Sequence, residues 1–202
     1  SMGLPVPFGF IITTDTCREF FQAGNKLPTL LEQEYRVALD IGEKKMGARF
    51  GEPENPRLFA GIIADGHHVH DANLQLAVSQ MENRLCLVTD TMPSYRATST
   101  DFMLAGQKIT LKDGRLTSEA GQLAGAHLGM DEAVRNIIQR TSARPEQALD
   151  MASAIPAKIL GLEDEYGKID IGRPASLTCL DRDFHCCGVY VHGTPYRGGS
   201  PA

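Results

Sequence analysis

Two short apolar segments that end in polar residues constrain the fold of this chain more than any other feature. The first is GIIADGHHVH at residues 61–70, and the second is LCLVTD at residues 85–90. Apolar runs bounded by Gly, Asp and Asn are typical of buried parallel strands, and α/β barrels carry their catalytic groups at the carboxyl ends of such strands. The sequence therefore predicts two strands that bring a histidine pair and Asp90 to one site, joined by an amphipathic helix over residues 71–80.

These segments also carry a family resemblance. Together with GQLAG at residues 121–125 and GKIDIGRPASLTCLD at residues 167–181, they resemble N-acetylglucosamine-6-phosphate deacetylases of the amidohydrolase superfamily. The resemblance covers residues 58–197. It implies that a metal-bound water hydrolyses the acetamide of a phosphorylated amino sugar in a TIM-barrel active site. Zinc is the implied divalent metal.

The resemblance also implies roles for individual residues. Asp90 is the implied catalytic base and acid, because the attacking water must lose a proton and the departing amine must gain one. The implied substrate-binding residues lie in two loops, and in the second loop alanines replace the hydroxyl residues that are usual in the family. They are Asp65, Gly66, His67 and His68 in the first loop, and Leu123, Ala124, Gly125 and Ala126 in the second.

Each of these assignments has a structural alternative. An aspartate that ends a strand can also cap the next helix, so Asp90 is a candidate N-cap. Residues 123–126 can equally form a glycine-containing loop that enters a helix. His67, His68 and His70 suggest a metal site, because imidazole is a common zinc ligand. They lie within four residues of one segment, however, and we predict no metal site from these three alone.

The metal ligands of the family are not recognisable in this chain. In the family, a Glu and two His on strands before the GIIADG segment hold the metal. Residues 3–59 instead resemble part of the nucleotide-binding domain of pyruvate, phosphate dikinases, through GLPVPFGFIITTDTCREFFQAGNKLP and MGARFGEPENPRLF. The phosphate-binding elements of that family are missing as well. The sequence therefore predicts two enzyme fragments joined near residues 58–61.

The predicted fold class is α/β, with partial TIM-barrel elements and a small carboxyl-terminal β-domain. The predicted domains are a dikinase-like segment at residues 1–57, a barrel-derived segment with a β-hairpin at 58–165, and β-domain strands with a disordered tail at 166–202. A barrel of this class needs eight strands, and only two are recognisable. We expect a homo-oligomer that covers the orphan strands.

The remaining elements follow from local patterns. We predict a strand at residues 9–13 and helices at 15–23 and 28–46. Alternating polarity around Asp113 and Gly114 predicts a β-hairpin within residues 102–126. Further helices are predicted at 130–141, 145–152 and 155–160, the last two separated by Pro156. Strands are predicted at 175–181, 186–191 and 194–197.

Composition excludes several classes of function. The net charge is −5 and the pI is about 5.7. Without a basic stripe, this gives no general attraction to nucleic acid or to anionic membranes. No apolar run approaches the length of a membrane span, and the five cysteines contain no CxxC pair. We therefore expect a cytoplasmic protein.

Three functional hypotheses remain open. The first is an amino-sugar-phosphate deacetylase, or a remnant of one. The second is a non-catalytic folded chimera, in which these residues only cap and pack. The third is a nucleotide-binding module from the dikinase-like segment. Because the metal ligands are not recognisable, the sequence predicts that this chain alone is inactive.

Overall fold

The computed structural model describes residues 29–47 and 59–196. The chain divides into two compact units, residues 1–58 and 59–202. In the first unit the described element is helix α1 (Thr29–Met46), which has two lysines in its last turn, where they complement the helix dipole. This confirms the helix predicted at residues 28–46. The strand predicted at 9–13 and the helix predicted at 15–23 lie outside the described residues.

The second unit begins with a parallel β–α–β arrangement. Strand β1 (Ala60–Ile62) pairs with strand β2 (Leu85–Leu87), and the register places Ile62 opposite Leu87. Helix α2 (Asp71–Met81) and a short 3-10 helix (Glu82–Arg84) connect the two strands. The prediction of two strands around a crossover helix is confirmed.

Three further helices pack around this unit. They are α3 (Met130–Arg140), α4 (Pro145–Ala152) and α5 (Ala154–Ile159). In α3 the three-residue spacing of Val134 and Ile137 places both on one buried face. Burying a Leu, Ile or Met side chain contributes about 1.5–3 kcal/mol, so the core rests on its largest fully buried side chains. These are Leu74, Leu85, Ile109, Leu116, Leu128, Ile137 and Met151.

The break between α4 and α5 differs from the prediction. The sequence suggested that Pro156 separates the two helices, but the helices separate at Ser153, whose φ of −137° and ψ of −73° are not helical. Pro156 lies within the first turn of α5. A proline is tolerated there because the first N–H groups of a helix have no intrahelical partner.

Between the parallel strands and α3 the chain forms a four-stranded antiparallel sheet. Its strands follow one another in order: β3 (Asp101–Leu104), β4 (Gln107–Lys112), β5 (Arg115–Ser118) and β6 (Leu123–Ala126). Asp113 and Gly114 join β4 to β5 with φ values of 50° and 76°. Positive φ at both central residues is what a two-residue hairpin turn of type I′ requires. The predicted hairpin is confirmed.

A second antiparallel sheet follows α5. It consists of β7 (Leu177–Leu180), β8 (Cys186–Val191) and β9 (Thr194–Pro195), in that order. The three strands were predicted, but β7 and β9 are shorter than expected. The α/β class is thus confirmed, with open sheets. No helix in the described ranges is long and apolar enough to cross a membrane.

Candidate active site

The carboxyl ends of β1 and β2 bring two of the predicted site residues to one edge of the sheet. Ile62 and Leu87 are paired, and the N–H of Val88 donates to the carbonyl of Ile62 at 2.9 Å. Asp65 and Asp90 each lie three residues beyond this pair. Both strands run in the same direction, so both aspartates leave the sheet at the same end.

The first loop is organised by Asp65. Its Oδ1 accepts the backbone N–H groups of His67 and His68, each at 2.9 Å, and its Oδ2 lies 2.7 Å from Nδ1 of His68. The Asp65 side chain is only 6% exposed, and that of His68 is 20% exposed. Asp65 is therefore occupied in holding the loop and the imidazole ring.

The protonation state of this pair follows from its contacts. Partial burial alone would raise the pKa of Asp65, but the hydrogen bonds from the His68 and His67 backbone and from the His68 ring hold that pKa below its ordinary value. An ionised carboxylate only accepts hydrogen bonds, so Nδ1 of His68 carries the proton that it shares with Asp65. Nε2 is then the ring nitrogen left for another partner.

The neighbouring residues of this loop have different environments. A Cβ atom at Gly66 would overlap the guanidinium of Arg140, and Gly66 has a φ of 80°. His67 is exposed, and its Nε2 lies near the hairpin turn at Gly114. Nδ1 of His70 accepts the N–H of Ala72 at 3.2 Å and so caps α2. The histidines of HHVH thus have separate local roles.

Asp90 is exposed and follows the second strand. No helix begins at this residue, so the alternative of a helix N-cap is wrong. The next residue, Thr91, instead forms a parallel β-bridge with Ala126. The φ of Asp90 is 49°, a left-handed conformation that aspartate adopts more readily than most residues. This left-handed backbone turns the chain out of the strand direction, and the residue stays exposed.

The second predicted loop, residues 123–126, is strand β6, and it joins the edge beside Asp90. The N–H of Ala126 donates to the carbonyl of Asp90 at 2.9 Å, and its carbonyl accepts the N–H of Met92 at 3.1 Å. Ala126 is only 1% exposed. It therefore anchors the backbone of Asp90 and has no free backbone group to offer a substrate.

The other residues of β6 are more accessible. Leu123, Ala124 and Gly125 are half-buried. Gly125 has a φ of 79°, and a Cβ atom there would overlap the side chain of Met92. The glycine thus permits both the backbone conformation and the close approach of Met92. A plain loop between the hairpin and α3 would show neither the strand nor the bridge.

Sequence reasoning missed two groups that support this edge. Nδ2 of Asn136, on α3, donates to the carbonyl of Ala64 at 2.7 Å and so holds the backbone just after β1. The Oγ of Ser94 lies 3.2 Å from Nδ1 of His127. The only sequence signal for Asn136 is a polar residue next to the buried Ile137, and neither contact leaves a motif.

The family resemblance implies a divalent metal, which needs several converging ligands. Over residues 29–47 and 59–196, no three His, Cys, Asp or Glu side chains converge in a way that could hold a metal ion. In the candidate site, Asp65 is bonded within its own loop and His70 caps a helix. The described residues therefore do not fit a metal site by themselves.

Comparison with known proteins gives a consistent assignment. A sequence profile described as the amidohydrolase family matches residues 10–195. The chain is 34% identical over 176 residues to the N-acetylgalactosamine-6-phosphate deacetylase of Escherichia coli O157:H7, covering 80% of this chain and 47% of that protein. It is also 34% identical over 137 residues to a provisionally named N-acetylgalactosamine-6-phosphate deacetylase of Escherichia coli strain K12, covering 68% of this chain and 82% of that protein.

The solved structures agree with these sequence matches. The crystal structure of N-acetylglucosamine-6-phosphate deacetylase from Pasteurella multocida superposes with a TM-score of 0.67 at 32% identity, covering 69% of this chain and 37% of that one. The chain thus spans about half the length of the Escherichia coli O157:H7 relative and a smaller share of this structure. The family profile also runs across residues 58–61, where the sequence suggested a join. The chain belongs to the amidohydrolase family.

Proposed function

We propose that this chain carries the proton-transfer and substrate-orienting part of a deacetylase that hydrolyses the N-acetyl group of a phosphorylated amino sugar. The observation that carries the proposal is the shared edge of β1 and β2, where His68 and Asp90 follow strands paired in parallel register. Relatives named as deacetylases of such sugars support the substrate class. Because the chain spans only part of these relatives, the activity is proposed for this edge.

Asp90 is proposed to be the general base and then the general acid. A carboxylate removes a proton from the attacking water and returns one to the departing amine, provided that it lies within hydrogen-bond reach. The exposed side chain and the anchored backbone of Asp90 suit that role. Its carbonyl is fixed by the N–H of Ala126, so the carboxylate extends from a held position.

His68 is proposed to orient the substrate. Asp65 holds its ring through Nδ1, which leaves Nε2 to contact a substrate oxygen. Gly66 and His67 would line one side of the proposed substrate-binding region. The accessible parts of Leu123, Ala124 and Gly125 would line the opposite side. Ala126 would act through the Asp90 backbone. Asp65 is then a positioning residue for His68.

We also propose that β1 and β2 are two strands of a barrel that other strands complete. Parallel strands are normally covered on both faces, and two strands cannot enclose a barrel core. In the simplest arrangement a second copy of the chain covers the open sides of these strands. Light scattering at micromolar concentration tests this, since a compact monomer would refute it. We propose separately that the protein is cytoplasmic.

The origin of residues 3–59 is a separate matter. We propose the dikinase-like ancestry only as a sequence resemblance, because most of that segment lies outside the described residues. Within residues 29–47, the part of this segment that the structure describes, no observation favours a nucleotide-binding role. An ATP titration that leaves the melting temperature unchanged would dismiss it.

The deciding experiment is acetate release from N-acetylglucosamine-6-phosphate and N-acetylgalactosamine-6-phosphate, with added zinc. If the wild-type chain turns over either sugar, we expect a loss of roughly a hundredfold or more in Asp90→Asn. Asp164→Asn, at an exposed position outside the two candidate loops, is the matched control. Wild-type turnover that survives Asp90→Asn would refute the role of Asp90. No release from either sugar would refute the activity of this chain and favour the non-catalytic alternative.

A further inference from the structure

The loop that follows Asp90, residues 91–97, is held against residues 126–129 along its length. At its start, the hydroxyl of Thr91 donates to the carbonyl of Leu128, and the N–H of Met92 donates to the carbonyl of Ala126 at 3.1 Å. These contacts join chain segments that are more than thirty residues apart in sequence. We call residues 91–97 the Asp90 loop.

A side-chain pair closes the contact farther along the loop. Ser94 is only 3% exposed, and its Oγ lies 3.2 Å from Nδ1 of His127. The ring of Tyr95 packs edge-on against His127, with 5.4 Å between the ring centroids and 64° between the planes. A buried hydroxyl that loses its partner is costly, because no water replaces the lost hydrogen bond. His127 therefore holds two successive residues of the loop.

Gly129 makes this arrangement possible. A Cβ atom at that position would overlap the hydroxyl and the ring of Tyr95, although the φ of Gly129 is −88° and other residues adopt it readily. The glycine is therefore needed for space and not for its backbone freedom. Its absent side chain admits Tyr95 between the loop and the start of α3.

We propose that His127 is a positioning residue that holds Asp90 in place through Ser94. His127 directly follows Ala126, whose N–H fixes the Asp90 carbonyl, and Ser94 lies four residues after Asp90. The Ser94–His127 hydrogen bond thus closes a ring around the bridge between Thr91 and Ala126. Without it, the bridge opens more often and the Asp90 carboxylate occupies a wider range of positions. The effect of this contact on catalysis rests on the proposed function. The contact between Ser94 and His127, here called the Ser94–His127 clamp, does not.

Native-state hydrogen exchange tests the Ser94–His127 clamp and does not require the protein to be catalytically active. The reporters are the amides of Met92 and Ala126, which close the bridge, and the variants are Ser94→Ala, His127→Ala and the double variant. We expect each single variant to speed exchange at both amides by roughly tenfold, the worth of one hydrogen bond to a buried group. The double variant should exchange little faster than His127→Ala alone, because both single changes remove the same hydrogen bond. His192→Ala, in the exposed β8–β9 turn, is the control.

A conservative replacement separates the hydrogen bond from ring packing. Asn at position 127 places an amide group near the position of Nδ1, so we expect His127→Asn to restore slow exchange in part, whereas His127→Gln does not. The amide of Ile137 reports global opening, since this residue lies in the core. Additive effects of the two single variants, unchanged exchange at Met92 and Ala126, or an equal increase at Ile137 would each overturn the proposal.

A measurement on the wild-type protein avoids any loss of folding in the variants. Imidazole ¹⁵N shifts should show His127 in a single hydrogen-bonded form at Nδ1, and a ring that averages between both tautomers would overturn the proposal. If acetate release is observed, His127→Ala should lower kcat and leave KM nearly unchanged, because Asp90 and not substrate contact is affected. If no acetate is released but the exchange measurements show that Ser94 and His127 are coupled, the proposed function is refuted and the inference about His127 stands.

Discussion

The Oδ2 atom of Asp65 lies 2.7 Å from Nδ1 of His68, while the Oδ1 atom of the same carboxylate accepts the N–H groups of His67 and His68. One side chain therefore fixes both the backbone of the loop after β1 and the orientation of its imidazole. The pair is mostly shielded from water, so these charge-assisted hydrogen bonds are stronger than those of an exposed ion pair.

We expect Asp65→Ala to lower the free energy of unfolding by about 1–3 kcal/mol near pH 7, because two backbone donors and one ring donor lose their acceptor. The pKa of Asp65 is below its ordinary value of 3.8 in the folded protein. Its stabilising effect is therefore complete above the unfolded-state pKa and disappears as the pH falls through the folded-state pKa. Urea unfolding should show a difference between the two proteins that shrinks below about pH 4. A difference independent of pH would contradict this.

Gly66→Ala should lower the free energy of unfolding more than the same substitution at a glycine that has no neighbouring side chain. Gly66 and Gly106 have nearly the same φ, 80° and 79°, but a Cβ atom meets Arg140 at the first and nothing within 4 Å at the second. Gly106→Ala measures the backbone strain alone, about 1–2 kcal/mol. The excess seen for Gly66→Ala should disappear when Arg140 is also changed to Ala. Equal losses in thermal or urea unfolding for both glycines would show that Arg140 moves aside freely.

The carboxylate of Asp131 links α3 to the second antiparallel sheet. Its Oδ2 accepts from Arg135 at 3.1 Å and from the N–H of Cys186 at 3.2 Å. Burial would raise the pKa of Asp131, but these hydrogen bonds outweigh burial and hold the pKa below its ordinary value. Asp131→Ala should cost about 1–3 kcal/mol of unfolding free energy, and more at neutral pH than in acid.

Glu132→Ala is the control for Asp131, because it removes a carboxylate from the same first turn of α3. The exchange of the Cys186 amide provides the specific readout. It should rise in Asp131→Ala and stay unchanged in Glu132→Ala. If both variants lose the same stability and leave that amide protected, the effect belongs to the helix terminus and not to the link.

Helix α2 offers a matched pair for testing the core. Leu74 is 0% exposed and Leu76 is 58% exposed, and the two lie two residues apart on one helix. Leu74→Ala should lower the unfolding free energy by about 2–5 kcal/mol through lost burial and the cavity that it leaves. Leu76→Ala should change it by less than about 0.5 kcal/mol. A large loss at Leu76, measured by urea unfolding at low protein concentration, would indicate that another surface covers this helix face.

Local patterns in the sequence were sufficient for most of the described elements. The β–α–β unit from β1 to β2 follows from short apolar runs around an amphipathic stretch, and the β4–β5 hairpin follows from Asp113 and Gly114. Where a local rule allows two outcomes, the prediction was wrong: Pro156 can end a helix or lie in its first turn, and in this chain it lies in the first turn of α5. The roles of Asp90 and of the loop residues around His68 stay predictions.

The sequence by itself determined the two strands that Asp65 and Asp90 follow, because apolar runs and their polar boundaries are encoded within a few residues. The tertiary structure alone decided what holds those ends. Ala64 meets Asn136 across 72 positions, Cys186 meets Asp131 across 55, and Ser94 meets His127 across 33. No local periodicity encodes such contacts. They form because tertiary packing brings polar groups from distant segments together where water is partly or fully excluded and each group needs a partner.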